Sequence, residues 1–214
     1  TPLDEVKSRR HGLSVFLVEM NKVDGLEIRP IRTMINHATT ELFFSDMHIP
    51  ANSLIGQEGE GFSYILDGMN AERILIGSES IGDARFFIDR ATAYAKEREI
   101  FGRPIGQNQG VQFPIARSYA STEAAHLMVS KAAALFDAGI SCGPEANMAK
   151  LLAGDAAWAA ADMCMQTFGG FGFAEEYDIE RKFRESRLYQ IAPISTNMIL
   201  AYIGQHVLGL PRSY

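Results

Sequence analysis

The spacing of apolar positions changes character once along the chain, at a glycine-rich stretch near residue 58. Ahead of it the pattern is strand-like. Leu13 to Met20 (LSVFLVEM) is an apolar run rich in β-branched and aromatic residues, and Asn21 to Gly25 follows as a turn. Leu26 to Met34 alternates apolar Leu26, Ile28 and Pro30 with polar neighbours; Pro30 has no N–H to give to a ladder and demotes the run to an edge or a break. Thr40 to Met47 is the third run. Strands with open edges and apolar faces want a second layer, so this sheet is expected to be incomplete.

Beyond Pro50 to Gly61 (PANSLIGQEGEG), a loop with three glycines and a proline, helical periodicity takes over. Long helices are predicted over Gly61 to Arg98, Gln109 to Ala138 and Glu145 to Phe168, with shorter ones over Glu175 to Arg187 and Thr196 to Leu208. Phe101 to Asn108 and Gly139 to Pro144 join the long ones, and Pro114 is tolerable only near the first turn of its helix or at a kink. Short connections between long helices favour an antiparallel bundle. The expected fold is mainly α: an antiparallel helical bundle over residues 59–214, preceded by a partial β-sheet domain over residues 1–58.

One acid interrupts the helical pattern. Ile65, Met69, Glu72, Ile76 and Glu79 recur three or four residues apart, so Glu72 falls inside a stripe begun by Ile65 and Met69. A buried or half-buried carboxylate is the simplest reading, and full burial raises a glutamate's pKa by up to about 3–5 units, towards proton exchange near neutral pH. Arg73 beside it and other charges on the helix support a second reading, a solvated or salt-bridged acid. Spacing alone does not separate the two.

A formal net charge of −6 leaves no basic field for nucleic acid or an anionic membrane, although Arg98 and Arg103 can act locally on small anions. Cys142 and Cys164 have no C-x-x-C spacing and the five histidines form no ligand pattern. No metal site is expected, and the thiols read as free and structural in a reducing compartment. No run approaches the roughly 18 apolar residues of a membrane span and the amino terminus has no apolar signal segment, which makes the cytoplasm the natural location. Phe168 to Phe173 (FGGFGF) lacks the G-x-G-x-x-G pattern and follows a helix; it reads as a helix C-cap or as a place where a ligand can reach the backbone. With no nucleophile elbow in the chain, Glu72 is the chemical candidate left by elimination.

Several separated words point further. FFSDMHIPANSLIGQEGEGF across the boundary, MNAERILI on the first long helix, AKEREIFGRPIGQNQGVQF at its end, QTFGGFGFAEEYDIERKFRESRLYQIAPIST near the close and the terminal HVLGLPRSY stand in an order that resembles the acyl-CoA dehydrogenase family. The resemblance implies a flavoprotein of fatty acid metabolism that oxidises an acyl-CoA to the 2,3-enoyl-CoA. A glutamate takes the α-proton, FAD accepts the β-hydride, an electron-transfer flavoprotein is the acceptor, and the protein is a homo-oligomer, dimer or tetramer. Most members keep the glutamate in a Tyr-Glu-Gly-Thr loop after a segment like LYQI. Here Leu188 to Ile191 runs into APISTN, and Pro193 or Ile194 stands where the acid would be. A smaller branch, similar to isovaleryl-CoA dehydrogenase, has its base on the first long helix immediately before an arginine, and Glu72 before Arg73 matches that position.

The same resemblance gives roles to other residues. Arg98 is implied to reach the FAD pyrophosphate across a subunit interface, Phe101 and Gln109 to be neighbouring flavin contacts, Gln166, Gly169 and Gly170 to cradle the adenine side, and Thr196 to lie close to the cofactor. Asn70 and Arg73 match substrate contacts, Arg73 serving equally as the structural partner of a core acid. The family's amino-terminal helical domain and the first half of its β domain have no counterpart in this chain. The expectation is therefore the carboxy-terminal part of such an enzyme, holding FAD weakly or not at all by itself. Two other readings stay open: an acyl-CoA oxidase on the same fold, and a non-catalytic helical oligomerisation or interaction module.

Overall fold

The computed structural model describes residues 11–35 and 38–212; residues 1–10 of the expected β domain and the last two residues of the HVLGLPRSY word lie outside the described residues. The chain divides into two compact units, Thr1–Met69 and Asn70–Tyr214. In the first, β1 (Val15–Phe16) pairs antiparallel with β4 (Leu54–Ile55), and β2 (Leu26–Ile31) with β3 (Thr39–Phe44), Leu26 opposite Phe44 and Ile31 opposite Thr39. The three predicted strands thus form two separate two-stranded ladders instead of one sheet. Of the first apolar run only Val15–Phe16 enters a ladder, its partner coming from the segment read as loop, and Leu13 adds an isolated bridge to Glu60. Pro30 sits inside β2 opposite Thr40, which a two-stranded ladder tolerates because each of its strands is an edge.

The long helices are α1 (Gly61–Glu97), α2 (Gln109–Asp137) and α3 (Gly143–Phe168). α3 has Pro144 in its first turn and is dense in alanine, the residue that gives up least on becoming helical. Two buried clusters set the register of the bundle. One joins Ile74 and Ile81 of α1 to Ala125, Val129 and Ala132 of α2 and to Ala146, Ala149 and Ala153 of α3. The other joins Phe87, Ile88 and Ala91 to Ala160, Cys164 and Phe168, with Ile115 of α2 packed against it. Residue numbers rise together along α1 and α3 and fall along α2, so α2 is antiparallel to both, as the short connections require. Pro114 lies in the second turn of α2.

The buried stripe of α1 is Ile74, Gly77, Ile81, Ala84, Ile88, Ala91 and Ala95, alternating steps of three and four. It is not the stripe that contains Glu72. Ile65, Glu72 and Glu79 are exposed and Ile76 is half-buried, which corrects the expectation of a buried acid. α1 carries two apolar patterns, and the bundle takes the one with small residues because Gly77, Ala84, Ala91 and Ala95 let α3 approach closely.

The FGGFGF word ends α3 at Phe168 as expected, with Gly169 at positive φ as its C-cap, and then forms a separate 3-10 turn (Gly169–Phe173). Smaller corrections follow from local backbone. The charged helix shrinks to α4 (Ile179–Ser186), because Asp178 turns left-handed at φ 63° and accepts from both Nε and Nη2 of Arg181 at 2.6 Å. α5 covers Thr196–Tyr202, capped by Ser195, and widens into a π-turn over Ile203–Val207. No helix among the described residues is long and apolar enough to cross a membrane.

Phe87 is fully buried where α1 meets α3. Phe87→Ala leaves a ring-sized void and should lower unfolding free energy by about 3–5 kcal/mol, read from the urea midpoint.

Candidate active site

The C-terminal ends of α1 and α3 meet. Arg98 N–H still donates to Tyr94 O (2.8 Å), closing the last turn of α1, and the chain then makes a tight hairpin of β5 (Glu99–Ile100) and β6 (Arg103–Pro104). Its two central residues, Phe101 and Gly102, both have positive φ (55° and 75°), the signature of the primed turns that match strand twist. Phe101 is 99% exposed at the tip.

Between these helix ends lies a cavity of 470 Å³ whose lining includes Arg98, Gln166, Gly169 and Gly170 together with Tyr94, Phe168 and Phe171. Tyr94 stacks on Phe168 at 4.1 Å between ring centroids, and the Arg98 guanidinium lies 5.9 Å over the Phe171 ring. Gly169 is left-handed at φ 58°, and a Cβ built on Gly169 or Gly170 would meet no atom within 4 Å. The glycines therefore offer bare backbone to open space. Arg98 opposes the negative ends of both helices and suits a phosphate-like anion, which its planar fork can grip at two points.

Four of the predicted residues thus share one cavity: Arg98, Gln166, Gly169 and Gly170. Phe101 and Gln109, the first residue of α2, do not line it, and Thr196 opens α5 with its Oγ1 donating to Gln190 O at 3.2 Å. A second, mainly apolar cavity of 540 Å³ is lined by residues of α1, the Pro104–Gln107 turn and α2, and holds none of them.

The acid group stands elsewhere on α1. Glu72 is exposed; Arg73 Nη1 donates to Asn70 Oδ1 at 3.0 Å, while Arg73 Nε is buried with no hydrogen-bond partner among the described residues. Burial pulls the Arg73 guanidinium below its ordinary pKa, against the opposing pull of Tyr202 and Glu72.

Sequence reasoning missed a buried polar network behind this face. Asp83 accepts from Lys182 Nζ (2.6 Å) and from the Tyr189 hydroxyl (2.8 Å). Burial, then the Asp83 carboxylate, pushes the Tyr189 phenol above its ordinary range. Lys150, 1% exposed, donates through Nζ to Ile194 O at 2.8 Å. No sequence signal marks such residues: Asp83 and Lys182 lie 99 positions apart, and a charge on a helix reads as a surface charge. The aromatic wall was closer to reach, since Tyr94 and Arg98 are one turn apart and share a face.

Comparison with known proteins gives this geometry its context. Residues 59–208 match the family model described as acyl-CoA dehydrogenase, C-terminal domain. "Acyl-CoA dehydrogenase fadE12" of Mycobacterium bovis is 40% identical over 215 residues, covering 99% of this chain and 55% of its own. Butyryl-CoA dehydrogenase from Megasphaera elsdenii superposes with a TM-score of 0.89 at 31% identity, over 95% of this chain and 54% of that one. The FAD complex of PigA superposes with a TM-score of 0.87 at 28% identity, over 92% of this chain and 52% of that one. The chain belongs to the acyl-CoA dehydrogenase family. It spans about half the length of the curated relatives it matches.

The buried amine makes a pH prediction. Burial lowers the Lys150 ammonium from 10.5 to about 8, with Asp155 opposing. Below pH 8 both folded and unfolded chains hold the proton and the cost of the buried charge is fully present. Between about pH 8 and 10.5 the unfolded chain binds more protons, so stability on this account rises with pH. The Lys150→Met variant should lack that rise, seen as a wild-type-minus-variant difference in urea midpoint that grows from pH 8 to 10.5. Burial also pushes the Cys164 thiol up to about 12, which acts in the opposite direction in both proteins and cancels in the difference.

Proposed function

We propose that this chain is the carboxy-terminal part of an FAD-dependent acyl-CoA dehydrogenase, supplying the α-proton base and one side of the cofactor site. The observation that carries this reading is the convergence of Arg98 with Gln166, Gly169 and Gly170, from ends of two helices far apart in sequence, on one cavity. The donor set fits an anionic dinucleotide: a guanidinium for the pyrophosphate, side-chainless backbone for close approach, and aromatic rings beside them. Arg98, Gln166, Gly169 and Gly170 would hold the cofactor, with Phe101, Gln109 and Thr196 as further contacts; the exposed ring of Phe101 is free to meet a ligand held partly by another subunit of a homo-oligomer. Bound FAD would accept the hydride from C3 of the thioester.

Glu72 takes the α-proton. It stands on a face that also carries Ile65, Met69, Leu75 and Ile76, apolar side chains against which an acyl chain can exclude water from the carboxylate. Arg73, with its unpaired Nε–H, and Asn70 act as substrate contacts one turn around the same helix. The functional division follows as residues 1–58 in the β part and 59–214 in the helical part, with an acyl-CoA as substrate and an electron-transfer flavoprotein as acceptor.

Glu72→Gln keeps shape and removes the base. In the FAD-loaded protein, bleaching of the flavin band by acyl-CoA should slow by about 10²–10⁴-fold while the band itself is retained. Normal bleaching in that variant sinks the assignment. Arg98→Ala should weaken FAD binding by on the order of tenfold or more in a fluorescence titration, with Arg98→Lys in between, because an ammonium cannot match the two-point grip.

A further inference from the structure

The segment from Tyr189 to Thr196 has lost the acid that most relatives are implied to carry there, yet it is fastened from two helices. On the α1 side the Tyr189 hydroxyl donates to Asp83 Oδ2, and it also interacts with Glu79, which shares a helix face with Ile76 and Glu72. Tyr189, at the start of the segment, is therefore anchored on the helix face that also carries the proposed base. On the α3 side Gln190 Nε2 donates to Asp155 Oδ1 at 3.1 Å and Lys150 Nζ donates to Ile194 O at 2.8 Å. Ile194 is followed at once by Ser195, whose Oγ accepts from Met198 N–H as the cap of α5, and by Thr196.

Lys150 is an expensive way to make that last contact. It is 1% exposed, lies among fully buried Ala146, Ala149 and Ala153, and forms no ion pair among the described residues. Methionine would fill the same volume without the desolvation of an amine. What methionine cannot do is donate to a backbone carbonyl in a segment that has no regular secondary structure to satisfy it. We infer that Lys150 is a positioning residue for the reaction: by holding the Ile194 carbonyl to α3 it fixes the 191–195 loop between Tyr189, anchored on the α1 face that carries Glu72, and Thr196 at the start of α5. This inference rests on the reading of Glu72 and Thr196 proposed above.

The test compares wild type and Lys150→Met in the FAD-loaded protein by hydrogen exchange, with thermal unfolding and stopped-flow flavin reduction alongside. Loss of a charged donor to a partly buried carbonyl should speed exchange of amides within residues 190–199 by on the order of tenfold. Exchange in α1, α2 and α3 should be unchanged and the melting temperature should stay within a few degrees, since the variant also removes a buried charge. The rate of flavin reduction should fall while the dissociation constant of the acyl-CoA moves less than about twofold. Unchanged loop exchange, acceleration spread evenly over the three long helices, or a loosened loop with an unchanged reduction rate each overturns the inference. Should Lys150→Met fail to fold, Lys150→Leu, which likewise has no donor for the Ile194 carbonyl, carries the same comparison. Exchange is read without substrate, so a failure of the base assignment registers separately, as normal bleaching in Glu72→Gln.

Discussion

α3 is surrounded by other helices along most of its length, and its side chains are small enough to permit it. Ala146, Ala149, Ala153, Ala157, Ala160 and Ala161 are fully buried. α1 answers with Gly77, where an added Cβ would stand 3.2 Å from Val129 Cγ2 of α2 and 3.6 Å from Ala149 O of α3, and a Cβ added to Gly154 of α3 would stand 3.1 Å from Tyr189 O. Backbones this close leave no room for rotation or slippage, because a shift of one residue would drive a larger side chain into a neighbouring helix. The relative heights of α1 and α3 are fixed by that fit. Their ends therefore arrive together, and Tyr94 stacks on Phe168 beside Arg98 and the glycine pair.

The polar groups divide accordingly into two kinds. Those inside the bundle are committed: Asp83 has Lys182 and Tyr189, Thr122 Oγ1 donates to Ser118 O, and Lys150 has the Ile194 carbonyl. For Lys182 burial works against the charge, but the Asp83 and Glu185 carboxylates together outweigh it and hold the pKa above its ordinary value. On the faces proposed for chemistry Arg98 and Glu72 are exposed, and Arg73, bonded through Nη1 to Asn70, has no partner for its Nε–H among the described residues.

The helices were legible because their causes are local. Alanine density predicts α3, glycine and proline punctuate the joints, and Ser195 caps α5, all within a few residues of where they act. The strands were less legible since pairing is not local: β1 needs Leu54–Ile55, read as loop, and the first apolar run looks the same whether it pairs over two residues or eight. Glu72 shows the limit most clearly. Ile65, Met69 and Ile76 form as good an apolar stripe as Ile74, Ile81 and Ile88, and periodicity cannot say which of two stripes a partner helix will take.

The sequence by itself determined which segments are helical, where they break, and which residue types stand at the positions that resemble a flavin and acyl-CoA site. Tertiary structure decided which face of α1 is core, which four of the transferred residues share a cavity, and that an aspartate and a lysine 67 positions apart, at 83 and 150, bond Tyr189 and Ile194 of one short segment. The reason is the same in each case. Helix propensity and capping are settled by neighbours along the chain, whereas burial and the pairing of buried polar groups depend on the closeness of backbones that only small residues on facing helices allow.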